Sequence, residues 1–349
     1  MVRIALRDLQ WRARRFVLGV LATALVFATT LLLVGVHSSF LDESTRAVDA
    51  FAADRWIVPK GVSGPFTNNS PMAAPLAGRV ASAAGVRASQ PLALFRQVVR
   101  DERGPHDVNV IAYDSGRVFE PPIASGREPE RPGEVAVDRR LAASIGDRLQ
   151  LGDEMLHVVG LTSGLTYFGG TPAMLMPLSE GRRIYFGGEP LSTTFITRGT
   201  PEGDVRGLDA LTGKSVVEDL RRPLGAATTT IGVLVLILWL VAAGIIGLMV
   251  YLAGLDRTVD FAVFKATGAR NGPLLAGLVL QALLLALCAA GLAAAAASLV
   301  APSFPIQVNL SAGSYALLVA VAVGVGLAVS AVSVRQATRV DPALAFGRN

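Results

Sequence analysis

Four long stretches without a single Asp, Glu, Lys or Arg dominate what this chain can become: Phe16–Val36, Ala226–Ala253, Pro273–Leu299 and Ser314–Val334. Each exceeds the ~20 apolar residues needed to cross about 30 Å of hydrocarbon as a helix. Inside lipid every backbone N–H and C=O must find its partner within the protein, so such runs are helical. The chain is therefore expected to be a helical membrane protein with four spans. The 189 residues between the first and second spans are then free to fold in water.

Charge gives the topology. Residues 37–225 hold 21 Lys+Arg and 23 Asp+Glu, whereas the rest of the chain holds 11 and 4. The basic excess sits in short segments beside the spans, the pattern of cytoplasmic flanks, so the overall charge of +5 does not call for nucleic acid. Both termini are expected in the cytoplasm, with the large insert on the opposite side of the membrane. Residues 1–15, with Arg3, Arg7, Arg12, Arg14 and Arg15 beside the stripe Val2, Ala5, Leu6 and Leu9, read as an amphipathic helix on the cytoplasmic membrane face. A cleaved signal peptide competes for the first span, but its apolar core is long and no clean small-x-small site follows closely, so an uncleaved span is expected.

Within the insert, residues 38–53 keep a helical period, as if the first span continued outward as a stalk. Residues 60–75 are rich in Gly, Pro, Ser and Asn and read as a loop. Alternation then marks strands at 91–100 and 108–113, and a short helix is expected near 80–84. A strand at 134–137, a short helix at 138–144 and two strands (148–151 and 156–161) joined at Gly152-Asp153 follow a Pro-rich crossing at 117–132. Residues 205–224 read as a second stalk helix. The insert is expected to be an α+β domain that folds without bridges, because Cys288 is the lone cysteine and lies within a span.

Between the second and third spans, residues 254–272 form one short two-sided segment. Val259, Ala262, Val263 and Ala266 make one apolar stripe, while Phe261 and Phe264 point to the other side, flanked by Asp260 and Lys265. Asp256 is a candidate N-cap and Gly268 a candidate left-handed C-cap. The two Phe rings either dip into the lipid interface or fill a groove on a protein partner.

The run Arg257-Thr258-Val259-Asp260-Phe261-Ala262-Val263-Phe264-Lys265-Ala266-Thr267-Gly268-Ala269 resembles the cytoplasmic loop of MacB/FtsX-type (DevC-like) ABC transporter permeases, with Asp260 where Glu is usual. The strand-helix-Gly-Asp-hairpin unit resembles that family's periplasmic core domain. The tail 334–346, with Arg335, Arg339, Asp341-Pro342 and Ala343-Leu344, resembles the family's C-terminus, less basic at Gln336 and Thr338. The resemblance implies a coupling helix carried by Arg257, Asp260, Phe261, Phe264, Lys265 and Gly268, docking on a separate ABC-type ATPase. It also implies a homodimer, with ATP and Mg held by the ATPase and no cofactor or catalytic residue on this chain. The function implied is export or extrusion of a substrate, with an FtsX-like mechanotransmitter that controls an extracytoplasmic hydrolase as the alternative; the size of the insert favours the transporter.

Other patterns argue for little. Gly207 to Ser215 mimics a phosphate loop but has five residues between its glycines where four are needed, and it lies in the outer insert. His37, His106 and His157 are scattered, and the insert's carboxylates read as ordinary surface charges. The spans lack the ionisable groups of ion pathways. Gly291–Ala297, Gly324 and Gly326 would allow close helix packing or a dimer seam.

Overall fold

The structure is a computed structural model that describes residues 13–68, 70–116, 118–203, 205, 207–255, 271–304 and 308–338. It divides into two compact units: one holds the chain to Ser39 and from Ala227 onward, the other Phe40–Ala226.

The first unit is helical. Helix α1 (Ala13–Asp49) contributes its early turns to this unit and its later turns to the other. After α2 (Pro75–Ala81), α3 (Leu178–Phe186) and α4 (Gly213–Arg221), which belong to the outer unit, come α5 (Gly225–Leu255), α6 (Asn271–Val300) and α7 (Ala312–Thr338). Among the described residues, four helices are long and apolar enough to span a bilayer. Their shared core is built from small side chains: Ala282, Ala286, Ala289, Ala290, Ala293 and Ala297 of α6 face Ala24, Ala28, Ala242 and Ala322. Such residues let helix backbones approach closely, which is how packing is gained where lipid offers no hydrophobic drive. Phe27 and Trp239 supply the main aromatic contact, with ring centroids 5.4 Å apart. At Gly35 a side chain would place its Cβ 2.5 Å from Val308 Cγ1, so glycine is what admits the 308–310 segment. That segment is fixed by Asn309, whose N–H donates to Ser39 Oγ at 2.8 Å.

The second unit is an α+β domain. Its strands are β1 (Arg55–Pro59), β2 (Met72–Ala73), β3 (Ala88–Asp101), β4 (Gly104–Tyr113), β5 (Ile123–Gly126), β6 (Glu134–Asp138) and β7 (Arg148–Leu151). They continue with β8 (Glu154–Thr162), β9 (Thr166–Tyr167), β10 (Thr171–Pro177), β11 (Leu191–Ser192), β12 (Thr194–Arg198) and β13 (Leu208–Leu211). The main sheet runs β13-β1-β12-β3-β4-β10-β6-β8-β5. Pairs β4–β10 and β6–β8 are parallel, and β7 bridges β3 and β8. The pairings β3-β4-β10-β6-β8-β7-β3 thus close on themselves, and closure removes exposed edges. Inside the ring lie Phe95, Val99, Val108, Val110, Val135, Val137, Leu149, Leu156 and Met174, plugged by α3. Gly181 of α3 rides directly on Ala112, where any side chain would collide.

The opposite face of β3 and β4 carries a second core. Leu92, Leu94 and Ile111 pack there against Ala47 and Val48 of α1, Phe51 just after it, and Val216, Val217 and Leu220 of α4. Phe51 is its aromatic hub, 4.9 Å from Trp56 and 4.5 Å from Phe119.

Several details correct the sequence reading. Residues 205–224 are not one helix: Leu208–Leu211 is β13, paired with β1, and α4 begins only at Gly213. The short helix near residue 80 starts earlier, at Pro75, a residue suited to a first helical turn. The 138–144 helix is a single 3-10 turn, Arg139–Leu141, capped by Asp138 and ended by Ala142 at φ 57°. The Pro-rich crossing contains β5.

Candidate functional site

The coupling-loop residues Arg257, Asp260, Phe261, Phe264, Lys265 and Gly268 lie outside the described residues, as do the amphipathic segment 1–12 and the tail motif from Arg339. What the structure shows of that site is its frame: α5 ends at Leu255 and α6 begins at Asn271.

The outer domain holds a second constellation, which sequence reasoning missed. Glu43, on the outer part of α1, is 6% exposed. Its Oε1 accepts from Thr166 Oγ1 at 2.6 Å and Gly170 N at 2.8 Å, and its Oε2 accepts from Gly169 N at 3.0 Å. Phe168, Gly169 and Gly170 all have left-handed backbones, with φ of 58°, 79° and 93°. Successive N–H groups in such a turn converge into an anion cradle, and Glu43 fills it.

Asp219 does the same from α4. It is 1% exposed and accepts from Thr67 Oγ1, from Ser63 Oγ at 3.3 Å and from Thr67 N at 3.3 Å. Gly64 sits so close to this carboxylate that any Cβ would strike it. The two helices are also tied together, because Arg221 Nη2 donates to Leu41 O at 2.6 Å and Thr45 Oγ1 at 3.0 Å. Charge-assisted bonds of this kind are roughly twice as strong as neutral ones. The reading of the insert's carboxylates as surface charges fails here: Glu43, Asp138, Glu180 and Asp219 are all buried.

The loops held by Glu43 and Asp219 wall one cavity of about 310 Å³. Phe66 and Thr67 come from the Asp219 loop, Tyr167 and Phe168 from the Glu43 loop, and Pro223 follows α4. The floor is the outward face of β3 and β4, with Leu94, Arg96 and Asn109, the last two being cross-strand partners. Phe66 meets Tyr167 edge-on at 5.1 Å, and Tyr167 meets Phe168 at 5.4 Å. Asn109 Nδ2 donates to the carbonyls of Tyr167 and Thr171, each at 3.1 Å. Burial pushes the Tyr167 phenol well above its ordinary pKa.

The phosphate-loop mimic is a strand and a helix start. Leu208–Leu211 is a strand, and Thr212 caps α4 by accepting from Ser215 N at 3.2 Å.

The family matches agree with this architecture. The MacB-like periplasmic core domain family matches residues 17–206, and the FtsX-like permease C-terminal family matches residues 232–342. The chain is 37% identical over 347 residues, 99% of both chains, to proteins of Mycobacterium bovis and Mycobacterium tuberculosis H37Rv named as uncharacterized ABC transporter permeases. It is 20% identical over 255 residues, 69% of this chain and 71% of the other, to a Staphylococcus epidermidis protein named as the putative hemin transport system permease HrtB. Among solved structures it is similar to the extracellular domain of the ABC-type transporter YknZ from Gram-positive bacteria, with a TM-score of 0.34 and 15% identity, covering 50% of this chain and 95% of that one. It is likewise similar to the periplasmic region of MacB from Actinobacillus actinomycetemcomitans, with a TM-score of 0.36 and 9% identity, covering 48% and 92%.

Four membrane helices with an α+β domain between the first and second define an ABC permease of the MacB/FtsX type. The chain belongs to that family, and it is a multi-pass protein of the cytoplasmic membrane.

Proposed function

We propose that this chain is the permease half of an ABC exporter. It binds a separate ATPase through the 254–272 loop and converts ATPase closure into motion of the outer domain. The observation that carries this reading is the family membership, which runs through nearly the whole chain and includes the spans that bracket that loop. The two buried carboxylates support it physically. Helix α1 runs through both units, and Glu43 ties it to the 166–170 loop by three hydrogen bonds. In this reading the chain is a homodimer in lipid with both termini in the cytoplasm. ATP and Mg belong to the partner, and no chemistry is done here. Phe261 and Phe264 are the anchors in the ATPase groove, with Arg257, Asp260, Lys265 and Gly268 framing them.

An aromatic anchor of this kind is worth about 2 kcal/mol on truncation, roughly thirtyfold in affinity. Phe261→Ala with Phe264→Ala should leave the chain inserted but strip the ATPase on co-purification and uncouple its hydrolysis. Full retention and coupling would remove the docking role and return the two rings to the lipid interface. If the ATPase stays coupled but no substrate can be found to move, the mechanotransmitter replaces the exporter.

A further inference from the structure

We propose that the cavity walled by Phe66, Tyr167 and Phe168 is a binding site for a small, flat, apolar molecule bearing one anionic group. It goes beyond the exporter reading and stands without it, because binding to the outer domain needs no ATPase.

The size and lining fit such a ligand. At about 310 Å³ the cavity lies at the small end of ligand sites, which run ~300–1,000 Å³, so it suits two or three fused rings and is too small for a phospholipid. Phe168, the half-buried ring at the site, is backed by Tyr167 at 5.4 Å and is the aromatic surface open to a planar body.

Polar groups at the site lack partners. Asn109 is 1% exposed. Because its Nδ2 is aimed at two backbone carbonyls, the amide orientation is set and Oδ1 is left with no hydrogen bond among the described residues. Tyr167 is 3% exposed, and its hydroxyl likewise has no hydrogen bond among the described residues. Neither atom is sealed off like the orphaned Trp56 Nε1 or Thr23 Oγ1 of the cores. The two side chains are buried, yet these atoms stay reachable, so a donor and an acceptor remain for a polar group of an occupant. The phenol stays protonated at neutral pH and can donate.

The anion preference comes from Arg96. Its guanidinium commits one Nη to Asp107 at 3.2 Å, in a pair whose side chains are 53% and 57% exposed. A pair so wet is weak and exchangeable. The remaining N–H groups on the floor can take a ligand carboxylate or sulfonate, and the two oxygens of such a group match their fork.

The test uses the full chain in lipid nanodiscs, with 2-naphthoate and its neutral counterpart 2-naphthamide as probes. Equilibrium dialysis against empty nanodiscs removes lipid partitioning. We expect saturable binding of 2-naphthoate at one molecule per chain. Arg96→Gln should weaken 2-naphthoate about fivefold, the scale of a half-exposed ion pair, and leave 2-naphthamide unchanged. Phe168→Ala should weaken both probes. Arg96→Gln alters an exposed side chain, so it keeps the test alive if Phe168→Ala fails to fold. Absence of saturable binding, an Arg96→Gln effect equal for both probes, or wild-type binding by both variants would overturn the assignment.

Discussion

The membrane unit and the outer domain are held together by opposite means. The membrane core is a seam of alanines with one Phe–Trp contact, and the described parts of its spans contain no charged side chain between Phe16 and Val36 or between Ala226 and Ala253. The outer domain buries carboxylates in its core and hangs loops on them. The reason is the solvent. In lipid, apolar surface gains nothing from burial, so closeness of backbones is what remains. In water, apolar burial drives collapse, and a few buried ions are tolerated where each finds several donors. The comparison teaches that substitutions of size should hurt the membrane unit, and substitutions of charge the outer domain.

The sharpest way to break that contrast is Glu43. Glu43→Ala removes three hydrogen bonds to a carboxylate and leaves Gly169 and Gly170 N–H groups unpaired. Bonds to charged groups contribute about 1.5–3 kcal/mol each before the losses overlap, so a local destabilisation of about 3 kcal/mol or more is expected. Amide hydrogen exchange of the full chain should show residues 166–170 opening far more often. Asp219→Ala should do the same, somewhat less, to residues 63–67. Unchanged exchange in both loops would mean that the carboxylates are passengers.

A smaller effect is expected from size in the membrane unit. Gly35→Val would drive a side chain into Val308 and Leu310, whose nearest atoms stand 2.5 and 3.0 Å from where its Cβ would lie. Overpacking of that kind typically costs about 1–3 kcal/mol. Gly324→Ala is the control, since its Cβ would meet nothing within 4 Å. Thermal unfolding in one detergent should separate the two variants by several degrees; equal stability would refute the close-approach account of Gly35.

The same contrast explains what can be read from the sequence. The spans announce themselves by composition, and β3, β4, β6 and the β7–β8 hairpin by local period and turn chemistry, all properties of neighbouring residues. Ring closure through β10 and β7 is a pairing of distant segments and has no local signature. Leu208–Leu211 reads as helical because the residues after it are; pairing with β1 decides otherwise. Glu43 does carry a signal, since it falls on the buried stripe Phe40, Ser44, Ala47 and Phe51, where a surface charge has no place. Asp219 sits the same way beside Val216 and Leu220. The coupling loop stands out by motif, and its residues lie outside the described structure.

The smallest expected effect concerns acid. Charge-based stabilisation should make the outer domain, and not the spans, respond to pH. Arg127 grips Glu134 with both nitrogens, at 2.8 and 2.5 Å, and the N–H groups of Glu130 and Arg131 add to it at 3.2 Å each. The Arg127 bonds lead, burial opposes them, and the backbone bonds help, so Glu134 falls from an ordinary 4.5 to about 2. For Asp101, burial pulls upward, but the Arg103 backbone N–H, His106 and the Arg103 guanidinium outweigh it and hold the carboxyl at about 2. A carboxyl depressed on folding binds fewer protons when folded than when unfolded. Its stabilisation is therefore present above about pH 4.5 and is lost as pH falls toward 2. Arg127 is 51% exposed, so solvent screening keeps the gain small. Melting of wild type and Glu134→Gln should differ by a constant margin from pH 7 to pH 5, and that margin should shrink steadily from pH 5 to pH 3. A margin that stays fixed at low pH would show that Glu134 acts by packing, and that charge does less in the outer domain than its buried carboxylates imply.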